Sequence, residues 1–398
     1  MDSAEREGLR PKGNVPNLRF PEFQEEWKEE RLADIADLYK GTGISKDQLS
    51  DDGEPCILYG ELYTKYKSET IREVISKTNI NNTKLVRSKA NDVIIPCSGE
   101  TAEDIATARC VLNGNILLGG DLNIIRLHGY DGAFMSYQLN GRRKYDIAKV
   151  AQGVSVVHLY GEHMKGVKTI NPCLEEQKKI AKLLSLLDER IATQNKIIED
   201  LKKLKCAIIE KVYSEIQGKE YSYGQLFDVV NERNKQMEYS NILSANQEKG
   251  MVNRDDLNLD IQFERSNINT YKIVKKGDYV IHLRSFQGGF AFSDKLGVCS
   301  PAYTILRPNS ILEYGYLSNY FTSQRFIKSL ALVTYGIRDG RSINVEEWLR
   351  MKITIPPKEH QQYIVKVIGT FERKIEDEEA YAAQLSKQKQ YLLRQMFI

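Results

Sequence analysis

Two stretches of the sequence place apolar residues at alternating steps of four and three, one near the middle of the chain and one at its end. A 4–3 step keeps one apolar stripe on the same face of a helix, which is the pattern of a coiled coil. We therefore predict two long helices, over 172–217 and 356–398. The residues expected to pack between them are Ile180, Leu184, Leu187, Ile191, Ile198 and Leu201 in the first helix and Ile364, Ile368, Phe371, Ile375, Leu385 and Leu392 in the second.

Both stretches begin as helices usually begin. Each follows a proline, Pro172 or Pro356, and has acidic residues in its first turn, where the helix dipole favours negative charge. Gly218 lies where a glycine commonly ends a helix, so we expect it to end the first one. Two ordinary surface helices on separate domains would give the same pattern. Because the stripes are equivalent and neither has another obvious mate in the chain, we expect the helices to pair with each other.

The two helix starts are copies of one motif. At an offset of 184 residues, Pro172-Cys-Leu-Glu-Glu-Gln-Lys-Lys-Ile180 matches Pro356-Pro-Lys-Glu-His-Gln-Gln-Tyr-Ile364 in proline, glutamate, glutamine and isoleucine. The match continues without a gap through both helices. Upstream, Lys89-Ala-Asn-Asp92 resembles Lys275-Lys-Gly-Asp278. The chain therefore consists of two copies of one unit, each a globular part followed by a long helix.

The globular parts have a different sequence pattern from the helices. They alternate glycine-bearing turns with short β-rich runs at 92–96, 123–127, 279–283 and 303–306. Amphipathic helical stretches lie between these runs, as at 314–330. We predict a mixed α/β (α+β) fold with an internal pseudo-two-fold repeat, divided into globular domains and helices at 1–171, 172–217, 218–355 and 356–398. Each globular part has about 140–150 residues, enough for a core of its own.

Composition excludes several classes of protein. A chain of 398 residues is too long for one ordinary core, and 41% apolar with 28% charged residues is typical of a soluble globular protein. No uncharged apolar run is long enough to span a membrane, and the charged N-terminus argues against secretion. We expect a cytoplasmic protein. A net charge of +3 says little about partners, because many nucleic-acid binders are far more basic.

The usual marks of catalysis are missing from the sequence. It has no GxxxxGK[ST] phosphate loop and no strand followed by GxGxxG. The six cysteines have no CxxC spacing, so we expect buried free thiols. His158 and His163 lack the spacing of a helical zinc pair, and satisfied structural histidines are the favoured interpretation. We therefore predict no catalytic residues, no metal site and no cofactor on this chain.

Several loops instead combine glycine, small polar, basic and aromatic residues. Arginine and lysine can contact phosphates or guanine, and asparagine and glutamine can read adenine. Each loop taken alone is also compatible with an ordinary turn, but such loops recur at corresponding places in both halves. The candidate DNA-binding residues are Thr42, Gly43, Lys65, Tyr66, Lys67, Ser98, Glu100, Thr101, Asn246, Gln247, Ser285, Gln287, Tyr335, Arg338 and Arg341.

The order of a variable part, a Pro-x-x-Glu-x-Gln-x-x-Ile helix, a second variable part and a second such helix resembles the specificity (S) subunit of type I restriction–modification enzymes. The opening Pro16-Asn-Leu-Arg-Phe-Pro-Glu-Phe-Gln-Glu-Glu-Trp27 is similar to that family's opening as well. The resemblance covers nearly the whole chain. One departure is His360, which stands where the first copy has Glu176, so the second repeat is less typical.

The resemblance implies a function and a set of partners. Each globular part would be a target-recognition domain that reads one half of a split, asymmetric double-stranded DNA site. The two helices would pack antiparallel as a spacer. Two methyltransferase (M) subunits and restriction (R) subunits would join the complex, with S-adenosylmethionine, ATP and Mg expected on those partners. This chain would be a non-catalytic recognition subunit.

Two other classes of function remain open from the residues alone. A coiled-coil scaffold with ligand-binding domains would show no salt-sensitive DNA binding. An enzyme with a site assembled from scattered residues would show a pocket with strongly perturbed titratable groups.

Overall fold

The computed structural model describes residues 13–81, 84–153, 156–246, 249–256, 265–282, 289–335 and 342–398, with the backbone alone for 265–267, 335 and 342. By internal packing, these residues form two compact units. Unit 1 comprises the described residues up to Asn195 together with Ala380–Ile398, and unit 2 comprises those from Lys196 to Glu379.

The helices are short except for two. In chain order they are α1 Leu32–Ile35, α2 Glu61–Thr64, α3 Ala102–Ile105, α4 Gly132–Asn140, α5 Lys144–Val150, α6 Gly161–Met164, α7 Leu174–Ser214, α8 Gln324–Ser329, α9 Val345–Arg350 and α10 Lys358–Met396. Single turns of 3-10 helix occur between them, among them Tyr223–Gln225, Tyr320–Thr322 and Leu330–Leu332.

The strands are short throughout. Those before α7 are β1 Lys28–Arg31, β2 Ala36–Lys40, β3 Leu49–Ser50, β4 Glu54–Ile57, β5 Thr70–Ile71, β6 Ser76–Thr78, β7 Val86–Arg87, β8 Asp92–Pro96, β9 Ser98–Gly99, β10 Arg109–Val111, β11 Leu117–Leu118, β12 Leu122–Leu127, β13 Val157–His158 and β14 Lys168–Asn171. Those after α7 are β15 Lys219–Ser222, β16 Phe227–Val230, β17 Leu243–Asn246, β18 Gly250–Asn253, β19 Lys272–Val274, β20 Tyr279–Ile281, β21 Phe290–Phe292, β22 Gly297–Cys299, β23 Thr304–Pro308, β24 Thr334–Tyr335, β25 Ser342–Ile343 and β26 Lys352–Ile355.

The central sheet of unit 1 has the strand order β2-β12-β8-β10-β5, antiparallel except for the parallel pair of β10 and β5. Strand β8 is buried along its whole length. Its side chains alternate between two cores, since successive residues of a strand point to opposite faces. Val93 and Ile95 pack with Phe134 of α4, whereas Ile94 packs with the second sheet, of order β3-β6-β4-β11-β7.

The main core of unit 1 includes residues from both ends of the chain. Trp27, which is almost fully buried, contacts Phe134 and Phe397 edge-on, at ring-centroid distances of 5.8 and 6.4 Å. Phe134 and Phe397 stack at 5.1 Å. The beginning of α7 joins the same core through Ile180 and Leu184. Unit 1 is therefore completed by the last residues of the sequence.

Unit 2 repeats the central part of this plan. Its sheet has the order β16-β23-β20-β21, which corresponds to β2-β12-β8-β10, and its ladder of β15 and β26 corresponds to that of β1 and β14. The core is rich in aromatic residues: Tyr223 and Trp348 stack at 4.2 Å, and Phe290 and Phe321 lie 4.8 Å apart. The end of α7 joins this core through Tyr213. The start of α10 packs into the same core.

The two long helices run antiparallel, as predicted. In unit 1 the Lys389 ammonium lies 2.6 Å from Asp188, and in unit 2 the Lys205 ammonium lies 2.8 Å from Glu372. An early position of one helix thus pairs with a late position of the other in each unit. Among the predicted packing residues, Ile180, Leu184, Ile198, Ile364, Ile368, Ile375 and Leu385 are buried, and Leu187, Ile191, Leu201, Phe371 and Leu392 are half-buried.

Two local predictions were wrong. The stretch 314–330 contains turns and α8, because Gly315 has a left-handed φ of 72° and the Ser323 side chain caps a new helix start by accepting a bond from the Phe326 N–H. Helix α7 ends at Ser214, before Gly218. A Cβ at Gly218 would lie 2.1 Å from the Ile355 carbonyl oxygen, so this glycine permits a close approach to β26.

Candidate nucleic-acid interface

Each unit has the same ion pair between two strands of its central sheet. In unit 1, Nε and Nη2 of Arg126 donate to the two carboxylate oxygens of Asp92, at 2.9 and 2.7 Å. In unit 2, Arg307 holds Asp278 in the same way, with both distances at 3.0 Å. Asp92 and Asp278 are almost fully buried, and their hydrogen bonds raise the pKa of both arginines. We name these pairs the Asp–Arg frames; each joins the two central strands of its sheet at the end where the first of them begins.

The glutamine of the helix-start motif joins each helix to its globular part. Gln177 donates from Nε2 to the Pro172 carbonyl at 2.8 Å and accepts at Oε1 from the Asp131 N–H at 2.9 Å. Gln361 donates to the Pro356 carbonyl at 2.9 Å and accepts from the Glu313 N–H at 2.8 Å. Both side chains are buried, which explains the motif as a structural joint.

The departure at His360 has a structural counterpart. Glu176 is fully buried and receives two hydrogen bonds from Arg19, at 2.8 and 2.7 Å. Arg19 belongs to the opening motif of the sequence. His360 is exposed. In the first copy, the buried glutamate is therefore paired with an arginine. In the second copy, the equivalent position carries a solvent-exposed histidine.

Several loops of unit 1 meet at the end of the central sheet where β8 ends and β12 begins. The Thr42 N–H donates to the Leu118 carbonyl at 3.1 Å, and the Cys97 N–H donates to the Asp121 carbonyl at 2.7 Å. Strand β13 pairs with β9, which places His158 beside Ser98. The Tyr63 hydroxyl donates to the Ser98 carbonyl at 3.0 Å. We call loops 42–43, 97–101, 118–121 and 158–163, with Tyr63, the first-half loop face.

Five of the candidate residues lie on this face. Thr42 and Ser98 are half-buried, whereas Gly43, Glu100 and Thr101 are exposed. Thr101 also has a structural task, because its hydroxyl oxygen accepts a bond from the Asp104 N–H at 3.0 Å and so caps α3.

Lys65, Tyr66 and Lys67 instead make bonds within the fold. The Lys65 ammonium contacts Glu61 and Ser76, both at 2.7 Å, and the buried Tyr66 oxygen accepts a bond from the Ile75 N–H. Lys67 is exposed and donates to the Tyr63 carbonyl at 2.9 Å. These bonds join the segment to α2 and the neighbouring strands, and its contact with DNA stays a prediction.

The sequence reasoning missed an aromatic group on the same face. Tyr160 is 49% exposed, and its ring contacts His163 edge-on at 5.5 Å and His158 at 6.2 Å. His158 is exposed, with Nδ1 3.3 Å from the Ser98 hydroxyl. Tyr59, 40% exposed, precedes α2. The pairing of β13 with β9 and the bond from the Leu159 N–H to the Cys97 carbonyl bring the histidines and tyrosine to this loop, so spacing alone could not reveal them.

The candidates of the second half are less fully described. Asn246 ends β17, and its Oδ1 accepts a bond from the Lys249 N–H at 3.0 Å, a turn contact within the β17–β18 hairpin. Tyr335 lies in β24, and its side chain is not described. The remaining candidates lie outside the described residues: Gln247, Ser285, Gln287, Arg338 and Arg341.

All six cysteines are free, and four of them are buried. Cys56, Cys97, Cys110 and Cys299 are buried, whereas Cys173 and Cys206 are exposed, so the prediction of buried thiols was wrong for these two. Both lie at or within the first long helix, outside its apolar stripe. Burial raises the pKa of Cys56 and Cys97 to about 11 and that of Cys299 to about 12.

Within the described ranges, no group of three or more His, Cys, Asp and Glu side chains is arranged to hold a metal ion. None of the helices in those ranges is long and apolar enough to cross a membrane.

Known proteins share both the sequence pattern and the fold. A sequence model of the type I restriction modification DNA specificity domain matches residues 24–203 and 218–387. The type I restriction enzyme MjaVIII specificity subunit of Methanocaldococcus jannaschii is 28% identical over 198 residues, which are 50% of this chain and 43% of that protein. A second protein of that organism, described as an MjaX specificity subunit, is 22% identical over 427 aligned positions, covering 96% of this chain and 95% of the relative.

Two solved structures share the fold at 15% identity. The S subunit of a type I restriction-modification system from M. genitalium gives a TM-score of 0.58 and covers 96% of this chain and 99% of its own. A chain from a study of assembly and conformational transition in the type I R-M system gives 0.56, with coverages of 93% and 97%. With two copies of the family domain spanning most of its length, this chain belongs to the type I restriction–modification DNA specificity family, as a specificity subunit rather than an enzyme.

Proposed function

We propose that this chain reads a split DNA site, one half with each globular part, and holds the methyltransferase subunits that modify it. The observation that carries the proposal is the pair of equivalent Asp–Arg frames with unlike loops. Strand β8 leads into Ser98-Gly99-Glu100-Thr101, whereas the segment after β20 contains Ser285 and Gln287. Because the loops differ, the two halves of the site should differ in sequence.

The chemistry of the first-half loop face suits the edges of base pairs. Thr42, Ser98 and Thr101 offer hydroxyl groups, and Tyr160 with His158 offers exposed aromatic rings that also carry hydrogen-bonding atoms. A net charge of +3 supplies little attraction to phosphates. We infer that partner subunits provide many of the backbone contacts, which dominate affinity and make it salt-dependent.

The helices would receive those partners. On α7, Leu183, Leu186, Ile197 and Leu204 are exposed, at 36 to 49%. Apolar side chains exposed along one long helix are typical of a surface that another protein covers. We propose that two M subunits dock on the helices and globular parts, that R subunits join them, and that S-adenosylmethionine, ATP and Mg bind those partners. The recognition domains would be 1–171 and 218–355.

The test is to co-express this chain with an M subunit from the same source and to map modified adenine in the host DNA. A motif with two unlike halves and a fixed gap is the expected result, because each globular part contributes its own loops. A soluble, assembled complex that modifies no motif would contradict the proposal and would favour a scaffold with no role in DNA reading. Omitting this chain is the control, and it should abolish the motif.

A further inference from the structure

The last helix reaches a cluster of charges inside unit 1. The Lys389 ammonium lies 2.5 Å from a carboxylate oxygen of Glu69 and 2.6 Å from one of Asp188. The side chains of Lys389, Glu69 and Asp188 are only 15%, 12% and 8% exposed. The Tyr137 hydroxyl donates to Asp188 at 2.7 Å. One cation of α10 thus forms ion pairs with two buried carboxylates, one from α7 and one from the globular part.

This cluster holds a defined piece of the globular part, residues 68–72, which we call the anchor segment. The Ser68 hydroxyl donates to Asp188 at 3.0 Å, and Arg72 pairs with Glu189 at 2.5 Å. The Glu69 carbonyl accepts a bond from the Cys110 N–H of β10 at 2.8 Å. The anchor segment is therefore fixed between the sheet and the helix pair.

The anchor segment continues directly into the first-half loop face. Arg109, beside the cluster, donates from Nε to the Tyr66 carbonyl at 3.2 Å. Residues 61–66 form α2 and its C-terminal end, from which Tyr63 reaches the Ser98 carbonyl. A chain of packed and hydrogen-bonded groups thus runs from Lys389 through Glu69 and α2 to loop 97–101.

Charge explains why Lys389 matters to this chain of contacts. Burial alone would lower the pKa of Lys389, but the carboxylates of Glu69 and Asp188 raise it overall, so the ammonium stays protonated. Burial raises the pKa of Glu69. Without the ammonium, the half-buried Arg109 guanidinium would be left to act on both carboxylates, which would repel each other in a site largely closed to water.

We propose that Lys389 is a positioning residue for DNA reading by the first half of the chain. The inference rests on the proposed function. It adds that a residue of α10 sets the selectivity of the first-half loop face. It does so by holding Glu69 of the anchor segment beside Asp188 of α7 through its two ion pairs, without touching DNA. The second half of the site should not depend on it.

The internal repeat supplies a matched control. Lys205 and Glu372 occupy the positions equivalent to Lys389 and Asp188, 184 residues away, and pair at 2.8 Å. Their side chains are 24% and 42% exposed, and within the described part of unit 2 the Lys205 ammonium forms this one ion pair. Lys205→Met therefore removes the same charge from an equivalent helix position without leaving two buried carboxylates together.

The experiment compares methylation maps of full-length variants co-expressed with the M subunit. For Lys389→Met we expect modification of wild-type sites to fall roughly tenfold, the change that 1.4 kcal/mol of misplaced contacts produces. Modification should rise at DNA sites that carry a changed base in the half read by the first half of the chain. A changed base in the other half should still prevent modification. Lys205→Met should modify the wild-type motif at close to the wild-type level, and Lys389→Arg should keep most of the selectivity because it keeps the charge.

A second variant separates positioning from stability. Lys389→Met with Glu69→Gln removes both charges, so its melting temperature should return toward that of the wild type while the relaxation of one half persists. Recovery of selectivity together with stability would overturn the inference, as would unchanged strictness in Lys389→Met or equal relaxation of both halves. A wild-type complex that modifies no motif would overturn the proposed function and this inference together, before any variant is compared.

Discussion

Tyr213 and Phe397 lie 184 residues apart, and each brings the end of a long helix into an aromatic core. Tyr213, near the end of α7, contacts the rings of Tyr316 and Tyr320 in unit 2, at 5.6 and 5.0 Å. Phe397, just after α10, stacks on Phe134 in unit 1. The two helices of the repeat thus exchange ends: each begins in one unit and completes the core of the other.

Phe397→Ala should destabilise unit 1 by roughly 3–5 kcal/mol, because it removes a buried ring and leaves a cavity beside Trp27 and Phe134. Denaturant unfolding followed by tryptophan fluorescence measures the change, since Trp27 is in unit 1 and Trp348 in unit 2. Tyr391→Ala, which truncates an aromatic residue of α10 that is 59% exposed, is the matched control and should have little effect. Equal losses from the two substitutions would contradict the assignment.

Leu184→Asp should prevent stable packing of α7 in unit 1. Leu184 is fully buried, so the substitution loses about 2–5 kcal/mol from the missing leucine and adds the cost of burying a carboxylate. Leu186→Asp places the same charge two residues away on a side chain that is 48% exposed. We expect a large fall in melting temperature for Leu184→Asp and a small one for Leu186→Asp, measured by circular dichroism. The reverse order would show that the packing face was misassigned.

Tyr160→Ala should weaken recognition of one half of the DNA site. If the ring contacts a base, its loss should cost about 1–3 kcal/mol, the range for one good base contact. Tyr145→Ala is the control, because Tyr145 is 68% exposed and lies on α5 with its ring near Lys149. Affinity for a duplex containing the mapped motif is the measurement. A protein that binds equally well after either substitution would exclude Tyr160 from the interface.

Thiol labelling at about pH 8 should modify Cys173 and Cys206 and leave the other four cysteines unreacted. The thiolate is the reactive form, and burial raises the pKa of Cys56 and Cys97 to about 11, so little thiolate forms there at pH 8. A moderate increase in pH should not change the pattern, since it remains below those pKa values. Mass spectrometry locates the labels, and denaturant should expose all six. A third label under native conditions would contradict the structure.

The repeat and its helices could be predicted from the sequence because their signal is local and continuous. The apolar stripe through Ile180 and Leu184 repeats without a gap in the second helix, and the Pro-to-Gln motif coincides at both starts. Periodicity reports which face of a helix is apolar. It carries no information about which globular part receives the helix end, so the roles of Tyr213 and Phe397 could not be inferred.

The candidate interface was harder to predict because the same residue types serve folding and binding. Lys65 and Tyr66 are predicted to contact DNA, and both also have structural contacts, because Lys65 pairs with Glu61 and Tyr66 is buried. Tyr160 was overlooked because its place on the first-half loop face depends on the pairing of β13 with β9, which joins distant segments. Long-range strand pairing has no local sequence signature, so a loop's neighbours must come from the structure.

The exchange of helix ends has a consequence for synthesis of the chain on the ribosome. Unit 2 is contiguous, so it can complete its core once Glu379 has left the exit tunnel. Synthesis of unit 1 begins first, but unit 1 lacks Met396 and Phe397 until the end of α10 has been translated. At about 5–20 residues per second, its core waits many seconds for these side chains. Unit 1 therefore matures after unit 2, and a nascent chain that stalls before the codons of Met396 and Phe397 leaves unit 1 incomplete.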